Sequence, residues 1–163
     1  MKKGLKALFV LGTIFISFIV IMSAMFSGSD DTKASETTAV SDTSSYRTEI
    51  ASQSAQMTDI FTTLSTQMSN YSNTTEWKVD TAVAIQELRD LVDQANSIKN
   101  VPAEYKEVHE KYMQAMEQYE IVADQLPTAI DNLDANQINI LSANMLQGNE
   151  YLTQATQEMK NVK

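Results

Sequence analysis

The sequence contains no cysteine, so it can form no disulfide, thiolate metal site or lipidated cysteine. Only four glycines and two prolines punctuate its 163 residues, which leaves little room for β-hairpins and favours long helices. With His109 the only histidine and no serine set between glycines as in a nucleophile elbow, no catalytic triad can be read. A glycine-rich phosphate loop is excluded on the same count. Basic residues are also scarce, 12 against 21 acidic ones, for a net charge of −9. The four basic and four acidic residues before Ser45 cancel, so the whole net charge belongs to the part that follows. A domain of that sign repels phosphate backbones, and no nucleic-acid partner is expected. Acidic charge of this kind keeps an exposed helical surface soluble.

One long apolar run is present. Ala7 to Phe26 is a stretch of 20 apolar or weakly polar residues, and a helix of that length spans about 30 Å, the hydrocarbon thickness of a bilayer. Lys2, Lys3 and Lys6 precede it while Asp30 and Asp31 follow, so the positive-inside rule puts the N-terminus in the cytoplasm and the rest outside. The run is longer than the apolar stretch of a cleaved signal peptide, and Met22 fits poorly two positions before Ala24 at a small-x-small site. Residues 1–26 therefore read as a membrane anchor, with a cleaved signal segment and a secreted domain as the alternative. Residues 27–44 hold Val40 as their one large aliphatic residue among Ser, Thr, Asp, Ala, Glu and Lys, and read as a flexible polar stalk.

Residues 45–163 carry four amphipathic patterns. Ile50, Met57, Phe61, Leu64, Met68 and Tyr71 form the first stripe; Trp77, Ala84, Leu88, Leu91, Ala95 and Ile98 form the second. Between them an Asn, Ser and Thr rich turn offers Asn73 as an N-cap with Glu76 as its capping-box acid. Pro102 ends the second helix and suits the first turn of the third. The third stripe runs from Tyr105 through Tyr112, Met116 and Tyr119 to Leu133, with a kink or short break expected at Pro127. Asp134 and Gln137 repeat the capping-box form before the fourth stripe, Ile138 to Val162. Gly148 lies on that stripe, where close helix approach would explain it. Helices with one apolar side each must pack together, and short connections make sequential ones antiparallel. The fold class is thus all-α: an N-terminal transmembrane helix plus an antiparallel up-down-up-down four-helix bundle. Mirroring the chain at the turns places Trp77 level with Tyr71, with Val122 or Leu126 and with Met145, and His109 level with Met57, Val92 and Met159. An interchain coiled coil is the rival arrangement.

Potential chemistry is thin. His109, beside Glu107 and Glu110, is a candidate pH-responsive group, but a metal site there would need carboxylates to complete it, and no metal or cofactor is expected. The carboxylate pairs Glu117 with Glu120 and Asp90 with Asp93 read as solvated faces, because a di-iron bundle needs Glu-x-x-His on two helices. The nine methionines read as core filling. Asn70 and Asn73 each begin an Asn-x-Ser/Thr sequon. The expected protein is a non-enzymatic, membrane-anchored, extracytoplasmic cell-envelope protein of bacterial type that binds a protein partner. Its contact surface would be the outward tip formed by Asn70, Asn73, Thr74, Asn132 and Asn136. Two alternatives stand beside it: a small-ligand-binding bundle with a cavity near Pro127, and a structural spacer that forms homo-oligomers through its apolar seams.

Overall fold

Apolar residues recurring three and four apart give five helices in the computed structural model, which describes residues 2–26 and 39–162, with side chains at 3–15 and from 43 onward. They are α1 (Lys2–Phe26), α2 (Ala39–Ser69), α3 (Thr75–Asn96), α4 (Lys106–Asp131) and α5 (Ala135–Asn161), with a single 3-10 turn, Ala103–Tyr105, before α4. No strand occurs among the described residues. Helix α2 begins inside the stretch read as a stalk, and its Thr43 hydroxyl donates to Glu104 Oε1 at 2.8 Å. Residues 27–38 lie outside the described residues.

Each helix packs on the next in sequence, and α5 closes the set by packing on α1. This departs from four helices behind a separate anchor. The first half of α1 lies between α2 and α5 and buries Leu8, Leu11 and Phe15 in the common core. Its glycines permit the approach: a Cβ on Gly12 would lie 2.9 Å from Ser69 Oγ and 3.1 Å from the Ser65 carbonyl oxygen, and one on Gly4 would overlap the Leu133 carbonyl. Among the described residues no helix is long and apolar enough to cross a membrane. The apolar run that begins at Ala7 continues past Phe15, the last residue of α1 whose side chain is described.

Polar rungs cross the core. Tyr112 Oη donates to Gln53 Oε1 at 2.7 Å, and Tyr119 Oη to Asn149 Oδ1 at 2.9 Å, all four residues being buried. Apolar packing alone tolerates a helix sliding by a turn; these pairs do not, because a slip leaves a buried polar atom without a partner. The first ties α4 to α2 and the second ties α4 to α5, and in this register His109 faces Tyr46, not Met57. The non-helical connectors displace α4 along α2 farther than a mirror through single turn residues allows. Trp77 does meet Tyr71, edge to face with centroids 4.8 Å apart.

Two further sequence expectations are refined. Thr74, not Asn73, caps α3, accepting from the Trp77 N–H at 3.3 Å. Pro127 neither breaks α4 nor ends it. A proline there withholds the N–H that would serve the Ala123 carbonyl. Arg89 of α3 supplies the missing donor: its Nη2 reaches that oxygen at 2.6 Å while its Nε pairs with Asp124 at 3.2 Å.

Both arrangements can be tested by substitution. A Cβ at position 148 would lie 2.5 Å from Tyr119 Cε1, whose ring is fully buried and cannot swing into solvent. Gly148→Ala gains helix propensity of up to about 1 kcal/mol but overpacks by about 1–3 kcal/mol, so the melting temperature should fall by a few degrees. An unchanged or raised value would show that the Tyr119 ring yields. Arg89→Met should destabilise by about 1–3 kcal/mol by leaving a carbonyl unpaired. In a Pro127→Ala background the helix restores that bond itself, and urea denaturation should show a much smaller effect of the same substitution; equal effects in both backgrounds would refute the link.

Candidate functional site

The five residues assigned to the tip are all exposed: Asn70, Asn73 and Thr74 sit in the α2–α3 turn, Asn132 in the α4–α5 turn and Asn136 in the first turn of α5. They are not equally available. Thr74 is committed to its cap, and its hydroxyl also lies 2.9 Å from Ser72 Oγ. Asn132 closes α4, with its Nδ2 donating to the Thr128 carbonyl at 3.0 Å. Asn136 contributes its backbone N–H to the Asp134 carboxylate, which also accepts from the Gln137 N–H and caps α5 as the sequence suggested. The side chains of Asn70, Asn73 and Asn136 make no hydrogen bond among the described residues. Leu133 holds the second turn in the left-handed region, with φ 47°, where glycine is the common choice. The conformation lets the Asp134 N–H reach back to the Ala129 carbonyl at 2.9 Å and keeps the Leu133 side chain against the core.

What sequence reasoning missed is that the first turns of α1 run past both turns. Gly4 sits on the Leu133 carbonyl, while Leu5, Lys6, Phe9 and Val10 line one wall of an open apolar groove of about 740 Å3 whose other wall is Met68 to Tyr71. Leu5, Phe9 and Val10 are each about half exposed. The signal was present as apolar residues on every side of α1. The tip is therefore a composite surface, polar at the turns and apolar where α1 crosses them.

At the opposite end, Tyr46, Tyr105 and His109 form a cluster. The rings of Tyr46 and Tyr105 are 5.2 Å apart, and Tyr46 Oη lies 3.3 Å from His109 Nδ1. Burial holds the His109 imidazole below its ordinary value and pushes the Tyr46 and Tyr112 hydroxyls up. Among the described residues no group of three or more His, Asp or Glu is placed to hold a metal ion. A smaller cavity of about 500 Å3 opens between α3 and α4 beside Pro127, lined by Trp77, Ile85 and Ile130 and by no methionine or tyrosine.

A histidine held low in the folded state contributes stability that is complete above its unfolded value, near 6.5, and is lost as pH falls through the lowered folded value. Urea denaturation at pH 7.5 and 5.5 should therefore show a larger loss for the wild type than for His109→Gln. Parallel losses would mean that the imidazole does not report on folding. No family model, no curated protein and no solved structure matches the chain.

Proposed function

We propose that this chain is a non-enzymatic, membrane-tethered cell-envelope protein whose bundle is displayed outside the cytoplasmic membrane and binds a protein partner through its tip. In that state α1 lies in the lipid, and α2 to α5 remain as an antiparallel up-down-up-down four-helix bundle. The observation that carries the reading is the two-sidedness of α1. Leu8, Leu11 and Phe15 face the core while Leu5, Phe9 and Val10 stand about half exposed on the other side. A helix that is apolar all round suits lipid; a surface helix of a water-soluble domain has a polar outer face. The flanking Lys2, Lys3 and Lys6 orient it with its start in the cytoplasm. Transfer of α1 to lipid would also uncover the Leu133 turn and the Met68 side of the tip, giving a partner an apolar centre with a polar rim.

The absence of cysteine makes the topology simple to test. Asn100→Cys, at an exposed connector position, creates the only thiol in the chain. A membrane-impermeant maleimide should label it on intact bacterial cells in which the chain is expressed, and the protein should resist alkaline extraction from membranes. Labelling only after lysis, or release by alkali, would sink the tether and its orientation. Recovery of a partner from intact cells should fall when Asn73, Asn132 and Asn136 are all replaced by alanine, with circular dichroism unchanged. Undiminished recovery would move the contact to a helix face.

A further inference from the structure

Many hydroxyls inside these helices follow one rule. Ser54, Thr58, Thr62, Ser142 and Thr156 each donate to the carbonyl four residues back, the usual way for a helical Ser or Thr to satisfy itself. Thr81 does not. It is 3% exposed, and its Oγ1 is buried with no hydrogen-bond partner, a state that costs roughly 1–3 kcal/mol when nothing offsets it. Thr81 also lines the cavity of about 500 Å3 beside Pro127. The other walls fall into two kinds. Trp77, Ile85, Pro127 and Ile130 are apolar, and the first two and the last are almost wholly buried. Lys78 and Asp131 stand at the rim with opposite charges, yet they form no ion pair with each other or with any other described residue. Arg89, the third charged group there, is already held by Asp124 and the Ala123 carbonyl.

We infer that this cavity binds a small zwitterion with an apolar side chain, the chemistry of a free aliphatic or aromatic α-amino acid. Its carboxylate lies toward Lys78 and accepts from the Thr81 hydroxyl once that side chain turns to its other helical rotamer, toward the cavity; its ammonium lies toward Asp131; its side chain packs on Trp77, Pro127 and Ile130. A simple anion is disfavoured because Asp131 faces the same opening, and a simple cation because Lys78 and Arg89 do. A ligand carrying both charges satisfies the two groups that lack partners and the orphaned hydroxyl together. Such concave, mostly apolar sites with a few convergent polar groups are the usual form of small-molecule pockets. No residue of α1 or of the two polar turns takes part, so the site stands or falls independently of the tether and of the tip.

Trp77 is the only tryptophan in the chain, so its fluorescence in the full-length protein reads this site directly. Titration with L-leucine and with L-phenylalanine should give a saturable change. Leucinamide, which lacks the carboxylate, and 4-methylpentanoate, which lacks the ammonium, should each need at least about tenfold higher concentration, a loss of about 1.4 kcal/mol. Lys78→Gln should weaken leucine but leave leucinamide unchanged; Asp131→Asn should weaken leucine but leave 4-methylpentanoate unchanged. Thr81→Val should weaken leucine about tenfold while the free protein melts at the same or a higher temperature. No saturable response to either amino acid up to about 10 mM, a range that already admits very weak binding, would overturn the assignment. So would equal responses to leucine and its two analogues in the wild-type protein, or undiminished leucine binding by the folded valine variant.

Discussion

Everything in the bundle's interior leans on the contact between Tyr119 and Gly148. The tyrosine ring lies so close to the glycine that a single methyl group there would meet Cε1 at 2.5 Å, and its hydroxyl bonds the next residue, Asn149. On its other side the ring meets Phe61 of α2 edge-on at 5.1 Å, and Phe61 in turn packs on Phe15 of α1 at 5.2 Å. Three helices thus meet at one side chain, and Phe61 carries the contact on to a fourth. Complete burial raises the Tyr119 hydroxyl well above the ordinary tyrosine value, so it stays protonated and serves as donor. Aromatic contacts of this kind add roughly 0.5–1.5 kcal/mol each beyond their buried area. The glycine's helix penalty of up to about 1 kcal/mol is the cost of admitting the ring. The neighbouring Asn149 Nδ2, buried and without a partner, is a second cost tolerated at the same place.

Helix α1 is held by this interior through one face only. Leu8, Leu11 and Phe15 enter the core, whereas Leu5, Phe9 and Val10 remain about half in solvent. In water that outer face is a standing liability, since each half-exposed apolar side chain forgoes roughly half of the 1.5–3 kcal/mol that full burial brings. Lipid would cover both faces. Water favours α1 in the bundle because the groove covers one face; the proposed tether would instead cover two. The two placements exclude each other. Gly4 and Gly12 fit the bundle placement, since both sit where a Cβ would collide with a neighbouring turn or helix.

Much of the architecture was legible because it rests on local chemistry. Helix periodicity, the Asp134 cap and the close approach at Gly148 are each written within a few residues of where they act. The cap of α3 was misplaced by one residue because Asn73 and Thr74 are both good N-caps, and a reach to the Trp77 N–H decides between them. The continuity of α4 through Pro127 could not be read at all, because the compensating donor, Arg89, belongs to a different helix. Register was illegible for the same reason: it is fixed by Tyr112 with Gln53 and Tyr119 with Asn149, pairs that no spacing rule brings together. Of the tip residues, the exposure of all five was readable from their turn chemistry, but the presence of α1 beside them was not.

The α3–α4 seam is where local rules fail twice within one helix turn of each other. Pro127 deprives α4 of a donor that Arg89 must replace, and Thr81 makes no bond of the kind that Ser54, Ser142 and Thr156 donate to the carbonyl four residues back. Each departure alone is an ordinary defect. Together they frame a single cavity whose rim charges also lack partners. Sequences settle local conflicts wherever nothing else is at stake, so unresolved ones concentrate where another interaction is served. The contrast with the tyrosine ladder supports this. There Gln53 and the Asn149 side-chain oxygen, equally awkward to bury, were given tyrosine hydroxyls as partners from within the chain, although Asn149 Nδ2 stays unpaired. A valine at position 81 would have removed the orphan at no cost in volume, and the threonine's retention of its hydroxyl has no account inside the folded chain. The account that remains is a group from outside it, small enough for the cavity and polar enough to meet an alcohol.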